Sequence, residues 1–323
     1  MANNSFFNKF LSLSPHIEMI VRRIYYKNIR LFLWLKSKNR FKINLSVSKK
    51  IQSQTLDYNK IKLFLQSHGV SHNCLLLVHS SYDALKGKGK YSGEVVDFLL
   101  DLVGEKGTLA MPAFPKFPNK VKKVDYLSSI DNSNTIYRYD VKNSSITTGV
   151  LPLKLSKLNG AVRSRFPINT MVALGPLSEE LFCDEFKEKS PLACGLGSSW
   201  KKCIDNDAII VSLGTDLTHS LTAIHVAEDT YESSWYVKNW YIKKKFQIID
   251  KDLNQILTLR ERAPHWGALC YAERTLCKDL IAAEILKSVH IDGVLVEILR
   301  AKKLLAFLRK KQNDKPGYPY YWV

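Results

Sequence analysis

Three short, continuous apolar runs constrain this chain more than any other feature: Cys74–His79, Thr108–Pro112 and Ala208–Leu213. Each has the length of a strand buried on both faces. The first stops at Ser80-Ser81, the second at Pro112 and the third at Gly214. A fourth run, Met171–Leu174, precedes Gly175-Pro176. Helical stretches lie between them: residues 58–69, stopping near Gly69; Glu94–Val103, closed by Gly104; Val150–Leu158; and Leu221–Tyr231. Strands alternating with helices predict an α/β fold, with residues 70–115 as a βαβ-like unit. Residues 116–145 are polar and irregular, the pattern of a surface or lid loop. There is no internal repeat. At 323 residues the chain is long enough to bury a sizeable core.

The charge is uneven. Residues 1–60 hold 12 basic against 2 acidic residues, so +10 of the net +18 sits there and +8 is spread over the rest. Residues 1–55 therefore read as a basic extension and 56–323 as the main domain. Ser14 suits a helix N-cap and Pro15 the first helical position. Ile17, Ile20, Val21 and Ile24 then fall on one face, with Arg22, Arg23 and Lys27 largely off it. Such a helix suits an anionic membrane surface. It also suits packing on the body or on a partner subunit, the reading preferred here. The longest apolar run there, Leu31–Leu35, is far too short to span a bilayer. With no secretory signal pattern, the expected location is cytoplasmic, with membrane association through residues 1–50 left open.

The 6 cysteines are scattered, without a C-x-x-C pair or a Cys/His cluster at zinc spacing, which predicts reduced thiols and no metal site. The chain has no G-x-S-x-G elbow, no G-x-x-x-x-G-K-[ST] loop and no strand-linked G-x-G-x-x-G. A serine hydrolase, a P-loop enzyme and a Rossmann dehydrogenase are each disfavoured.

The segment Gly214–Glu228 carries the clearest chemistry. It follows the third run, where ligand sites gather in open α/β sheets. His225 and Glu228 are three residues apart, so they share a helix face. A histidine whose tautomer is held by a carboxylate suits a general base. A core histidine tied to a glutamate has the same spacing. Ser80 and Ser81 sit in the corresponding position after the first run, suited to phosphate, amide or oxyanion contacts, or to helix capping. Lys86-Gly-Lys-Gly-Lys90 interleaves lysines with glycines; Lys86 and Lys88 suit cofactor phosphates, or simply an exposed loop. His79, at the end of a buried strand, reads as structural. His219 and His265 are weaker base candidates.

Several ordered pieces then resemble the aminoglycoside 3-N-acetyltransferase family across roughly residues 60–240. They are Val78-His-Ser-Ser81, Gly107-Thr-Leu-Ala-Met-Pro-Ala-Phe114, Tyr139-Asp140, Thr147-Thr-Gly149, Gly160-Ala-Val-Arg-Ser164, Val172-Ala-Leu-Gly175, Ser190-Pro-Leu-Ala193 and Thr222-Ala-Ile-His-Val-Ala-Glu228. The resemblance implies a three-layer α/β/α sandwich with a central mixed sheet. It implies acetyl-CoA or another acyl-CoA as donor, with direct transfer to an amine. Its helix histidine and nearby glutamate correspond to His225 and Glu228, and its serine pair near the CoA to Ser80 and Ser81. Phe114 and Thr148, in the matching pieces, are expected on the cofactor side, and Asp216, Tyr139 and Thr222 on the acceptor side. Members often dimerise, so a homodimer is compatible with the resemblance.

One departure stands out. Antibiotic-modifying members typically carry His-Pro after the Arg-Ser pair, whereas this chain reads Arg163-Ser-Arg-Phe166-Pro167. Aminoglycosides are polycations, and a basic body is a poor host for them. The expected function is therefore N-acylation of a nucleotide-linked amino sugar in surface-polysaccharide (O-antigen) assembly, with His225 as general base. The alternative is a true aminoglycoside 3-N-acetyltransferase. A non-catalytic basic protein binding nucleic acid or membrane is the reading from another class; the ordered site pieces argue against it, so no nucleic-acid partner is expected.

Overall fold

Seven strands form the main sheet of the computed structural model, which describes residues 10–35, 55–117, 135–231, 235, 237–251, 253–314 and 319–321. In spatial order they are β4 (Val162–Arg163), β5 (Met171–Leu174), β2 (Thr108–Pro112), β1 (Leu75–Ser80), β6 (Ile209–Leu213), β10 (Val294–Arg300) and β9 (Lys287–Ile291). The three expected runs are its centre. β1 pairs parallel with β2 on one side, Leu76 beside Leu109, and with β6 on the other, Leu76 beside Ile209. The outer pairings are antiparallel, so the sheet is mixed.

The continuous apolar character of β1 has a direct cause. Leu75 and Leu77 face one core layer, with Trp200 and Ile204 of the helix Ser199–Asp205. Leu76 and Val78 face the other, with Ile61 and Leu65 of the helix Tyr58–Ser67 and Val95 and Leu99 of the helix Ser92–Val103. None of these residues is more than 4% exposed. Burial on both faces favours apolar residues, with His79 of β1 a buried polar exception, and it makes the three-layer sandwich.

A second sheet orders β3 (Ile136–Asp140), β7 (Tyr241–Asp250) and β8 (Leu253–Arg262). It corrects the expectation of a continuous loop over 116–145. Tyr137 and Tyr139 alternate inward along β3, and their partner strand β7 lies about a hundred residues later, which no local pattern announces. The rest of the expected lid, residues 118–134, lies outside the described residues.

The helix α1 (Pro15–Lys27) starts as expected, with Ser14 Oγ accepting from His16 N–H at 3.3 Å. Its buried side does not follow the predicted apolar face. Ile20 and Ile24 are 45% and 55% exposed, while Glu18 and Met19 are buried. Glu18 is the reason: its carboxylate accepts from the Arg274 and Thr275 N–H groups at 3.1 Å, at the start of the helix Glu273–Ala282, and from the Arg274 guanidinium at 3.1 Å. A carboxylate at a helix N-terminus satisfies orphan donors and meets the positive end of the dipole. Of the readings left open for this segment, the described residues display packing on the body. Among them no helix is long and apolar enough to cross a membrane.

Candidate active site

The chain leaves β6 through Gly214, whose φ of +75° is costly for other residues. A Cβ there would stand 2.8 Å from the Ser81 carbonyl oxygen and 2.9 Å from the Ala84 Cβ. The glycine thus lets the loop pass close beside the end of β1. Glu297 of β10 fixes the loop from below, accepting from Leu217 N–H at 2.7 Å. The helix expected over Leu221–Tyr231 is shorter: a 3-10 turn Thr222–Ile224, then one helical stretch His225–Asp229.

His225 and Glu228 meet as their spacing requires, His225 Nδ1 to Glu228 Oε2 at 3.0 Å. The Glu228 side chain is 1% exposed and that of His225 15% exposed. Two groups from distant segments join them. The Arg262 Nη1 of β8 lies 2.6 Å from His225 Nδ1 and 3.5 Å from Glu228 Oε2. The Tyr321 hydroxyl donates to Glu228 Oε1 at 2.8 Å and accepts from Arg262 at 3.1 Å.

A neutral imidazole has one N–H, so Nδ1 cannot donate to Glu228 and also accept from Arg262. We assign the Nδ1 proton to the hydrogen bond with the carboxylate, the stronger acceptor. Arg262 then acts on the ring as a charge, and Nε2 keeps its lone pair for the cleft. Burial, with the Arg262 guanidinium second, holds the His225 imidazolium below its ordinary range, against the pull of Glu228. Burial works to raise the Glu228 carboxyl, but His225, Arg262 and Tyr321 together hold it below its ordinary value. The pair at neutral pH is therefore a neutral histidine beside a carboxylate, the state a general base needs. Arg262→Gln is expected to move the acid limb of kcat/KM to higher pH, because it removes a cation that opposes protonation and leaves Glu228 to favour it. A limb that stays in place would remove Arg262 from this role.

The imidazole opens on a cleft of about 760 Å³. Phe114, Phe117 and Phe246 form an apolar wall, and Thr222 lies beside the histidine. Such a wall would suit the methylene segments of an arm like that of pantetheine, whose amides are spaced along its length. A larger groove of about 1080 Å³ runs past Arg163 and Asp250, and among the described residues no histidine lines it; His225 lines the smaller cleft. Among the described residues no group of three or more His, Cys, Asp or Glu side chains is placed to hold a metal ion.

Of the residues expected from sequence, Phe114 and Thr222 share the cleft with His225. Ser80 and Ser81 lie where β1 ends beside Leu213, outside the cleft lining; Ser81 N–H donates to the Leu213 carbonyl at 3.0 Å. Lys88 Nζ is taken by the Asp292 carbonyl at 3.2 Å, and Lys86 is exposed on the same loop. Thr148 Oγ1 donates to the Pro112 carbonyl at 2.6 Å. The Asp216 carbonyl accepts from Ser220 at 2.7 Å, and its carboxylate stays off the cleft wall. Tyr139 is corrected: it is fully buried, and its hydroxyl donates to the Ser164 carbonyl at 2.6 Å, so it presents nothing to an acceptor. Phe166 is also buried, stacked on Phe186 with ring centres 5.4 Å apart. His219 does reach the cleft, with Nδ1 2.6 Å from Glu273.

Comparison with known proteins bears on the family and the fold. The family model for aminoglycoside 3-N-acetyltransferase matches residues 77–312. Aminoglycoside N(3)-acetyltransferase IX of Micromonospora chalcea is 25% identical over 213 residues, which is 60% of this chain and 73% of the relative. Among solved structures, aminoglycoside acetyltransferase AAC(3)-IIb has a TM-score of 0.64 at 20% identity, covering 83% of this chain and 99% of that one. AAC-IIIb, in a binary complex with CoASH, scores 0.62 at 19% identity, covering 81% and 98%. These likenesses share the fold. The matches overturn the expected nucleotide-linked amino sugar and the role in polysaccharide assembly: they point to the alternative, aminoglycoside 3-N-acetylation. The overall charge misled because it counts every exposed lysine and arginine, wherever it lies, whereas acceptor choice rests on the few groups in the cleft.

Proposed function

The chain belongs to the aminoglycoside 3-N-acetyltransferase family, and from that premise we infer that it moves an acetyl group from acetyl-CoA to an amine of an aminoglycoside. The observation that carries this reading is the neutral His225 held by Glu228 on the wall of the cleft. An ammonium has no lone pair, so the acceptor must lose a proton before or as it attacks. The ammonium's first proton goes to solvent, which frees the lone pair, and His225 Nε2 takes a second N–H proton as the amine attacks. The amine nitrogen bonds to the thioester carbonyl carbon, and the tetrahedral intermediate collapses by breaking the C–S bond. The thiolate leaves with a proton returned from the imidazolium, so the histidine is neutral again. Glu228 stabilises the imidazolium between these events and keeps Nδ1 protonated, which leaves Nε2 as the working nitrogen. No acyl-enzyme is needed, since the amine itself is the nucleophile. Phe114 and Thr222 line the same cleft.

The test is release of CoA thiol from acetyl-CoA by the full chain. Release is expected to require an aminoglycoside, with a product heavier by one acetyl group by mass spectrometry. Thiol release that is indifferent to the aminoglycoside, or absent at every acceptor concentration, would sink this reading.

A further inference from the structure

The helix α1 is held on the body largely by polar anchors. The Glu18 carboxylate, fully buried, accepts from the first N–H groups of the helix Glu273–Ala282. Arg22, one turn later, completes the anchor: its Nη2 is 2.6 Å from Glu273 Oε2, and its Nη1 donates to the Gly267 carbonyl at 3.2 Å. This docking leaves Ile20 and Ile24, one turn apart, exposed. Helical residues 29–35 follow, and in the run Leu31-Phe-Leu-Trp-Leu35 each residue is between 40% and 53% exposed. The Tyr25 and Phe32 rings, with centres 5.2 Å apart, join the two stretches into one patch. An ordinary surface helix buries its apolar side and shows its polar one to water. Here the arrangement is reversed, and five consecutive exposed apolar residues mark a surface made for a partner or a membrane.

Charge identifies what covers it. Among described residues 10–35 the only acidic side chain is Glu18, which is buried, whereas Lys27 and Arg30 are exposed between the two apolar stretches. The sequence keeps this sign further on: positions 22 to 50 hold 10 lysines and arginines and no aspartate or glutamate. Two copies joined through this face would set cations against cations. The headgroups of an anionic bilayer neutralise such cations, and its acyl boundary takes the apolar side chains. Tyr25 and Trp34 are residue types that favour the headgroup level.

We propose that α1 and residues 29–35 form a surface that seats the protein on anionic lipid. Ile20, Ile24 and the run Leu31–Leu35 enter the acyl boundary, while Lys27 and Arg30 meet the headgroups. The Glu18 and Arg22 anchors hold this surface in place on the body. The contact is peripheral, since among the described residues no helix is long and apolar enough to cross a membrane. It stands apart from the acetyl-transfer reading, and its test needs no substrate.

The experiment is vesicle co-sedimentation of the full chain, with vesicles of phosphatidylcholine alone or with about one part in four phosphatidylglycerol, across a salt series. The parent is expected to bind the anionic vesicles only, and less as salt rises. Ile24→Asp/Leu33→Asp is expected to weaken that binding by at least about tenfold, through lost apolar burial. Lys27→Gln/Arg30→Gln is expected to weaken it about fivefold for each charge removed. Melting curves of both variants should follow the parent, because the replaced side chains are exposed. If the apolar variant does not fold, the charge variant and the salt series still decide. No binding, equal binding to neutral and anionic vesicles, or parent-like binding by either folded variant overturns the proposal. A parent dimer that Ile24→Asp/Leu33→Asp abolishes, seen by light scattering without vesicle binding, overturns it as well and gives the face to a second copy.

Discussion

His225→Ala is expected to lower kcat for acetyl transfer by about a thousandfold, within the range that a positioned general base contributes. The loss falls on kcat because the acceptor amine still binds but keeps its proton. The melting temperature should change little: the side chain is at the cleft surface, and Glu228 keeps two partners, Arg262 and Tyr321. The parent's kcat/KM should fall on the acid side through a limb below the ordinary histidine range, since burial and Arg262 both disfavour the imidazolium. The variant should lack that limb. Measured thiol-release kinetics across pH check both statements. Transfer within about tenfold of the parent would remove His225 as the base.

Glu228→Ala is expected to cost about 3 kcal/mol in folding stability, measured by denaturant unfolding, besides slowing transfer. Glu228 is buried, and its removal leaves the Arg262 guanidinium without its carboxylate and the Tyr321 hydroxyl without its acceptor. The figure is at the low end for a broken buried pair because the Arg262 side chain retains 27% exposure. The double variant Glu228→Ala/Arg262→Met should recover part of the loss, because no charge is then stranded. The pH dependence follows from the sign of the shift. The folded carboxyl titrates below its ordinary range, so its contribution is present above that range and is lost as pH falls through the folded value. The gap between parent and variant should therefore close toward acid. A loss below about 1 kcal/mol would mean that the network stabilises orientation rather than the fold.

The centre of the sheet was legible from local pattern alone. Leu75–Ser80 and Ile209–Leu213 are strands because runs of this length and composition fit burial on both faces. The pairing of His225 with Glu228 was legible for a similar reason, since helical spacing brings i and i+3 together. Reading the N-terminal helix from apolar spacing failed in its detail. The periodicity was real, but a single buried carboxylate, Glu18, decided which side docks. Strand β3 was hidden because its inward tyrosines alternate with exposed residues over only five positions, inside a polar stretch.

The sequence by itself determined the α/β class, the apolar strands, the start of the N-terminal helix and the histidine–carboxylate pair, all features carried by neighbours along the chain. Tertiary structure alone decided that Arg262 and Tyr321 complete that pair, that Tyr139 is sealed away, and that Arg22 pairs with Glu273 in the lining of the cleft. The physical reason is range. Dihedral preference and side-chain period act over a few residues, whereas these contacts join positions 25 to 251 residues apart. They follow from strand register and helix docking, which the whole core fixes together.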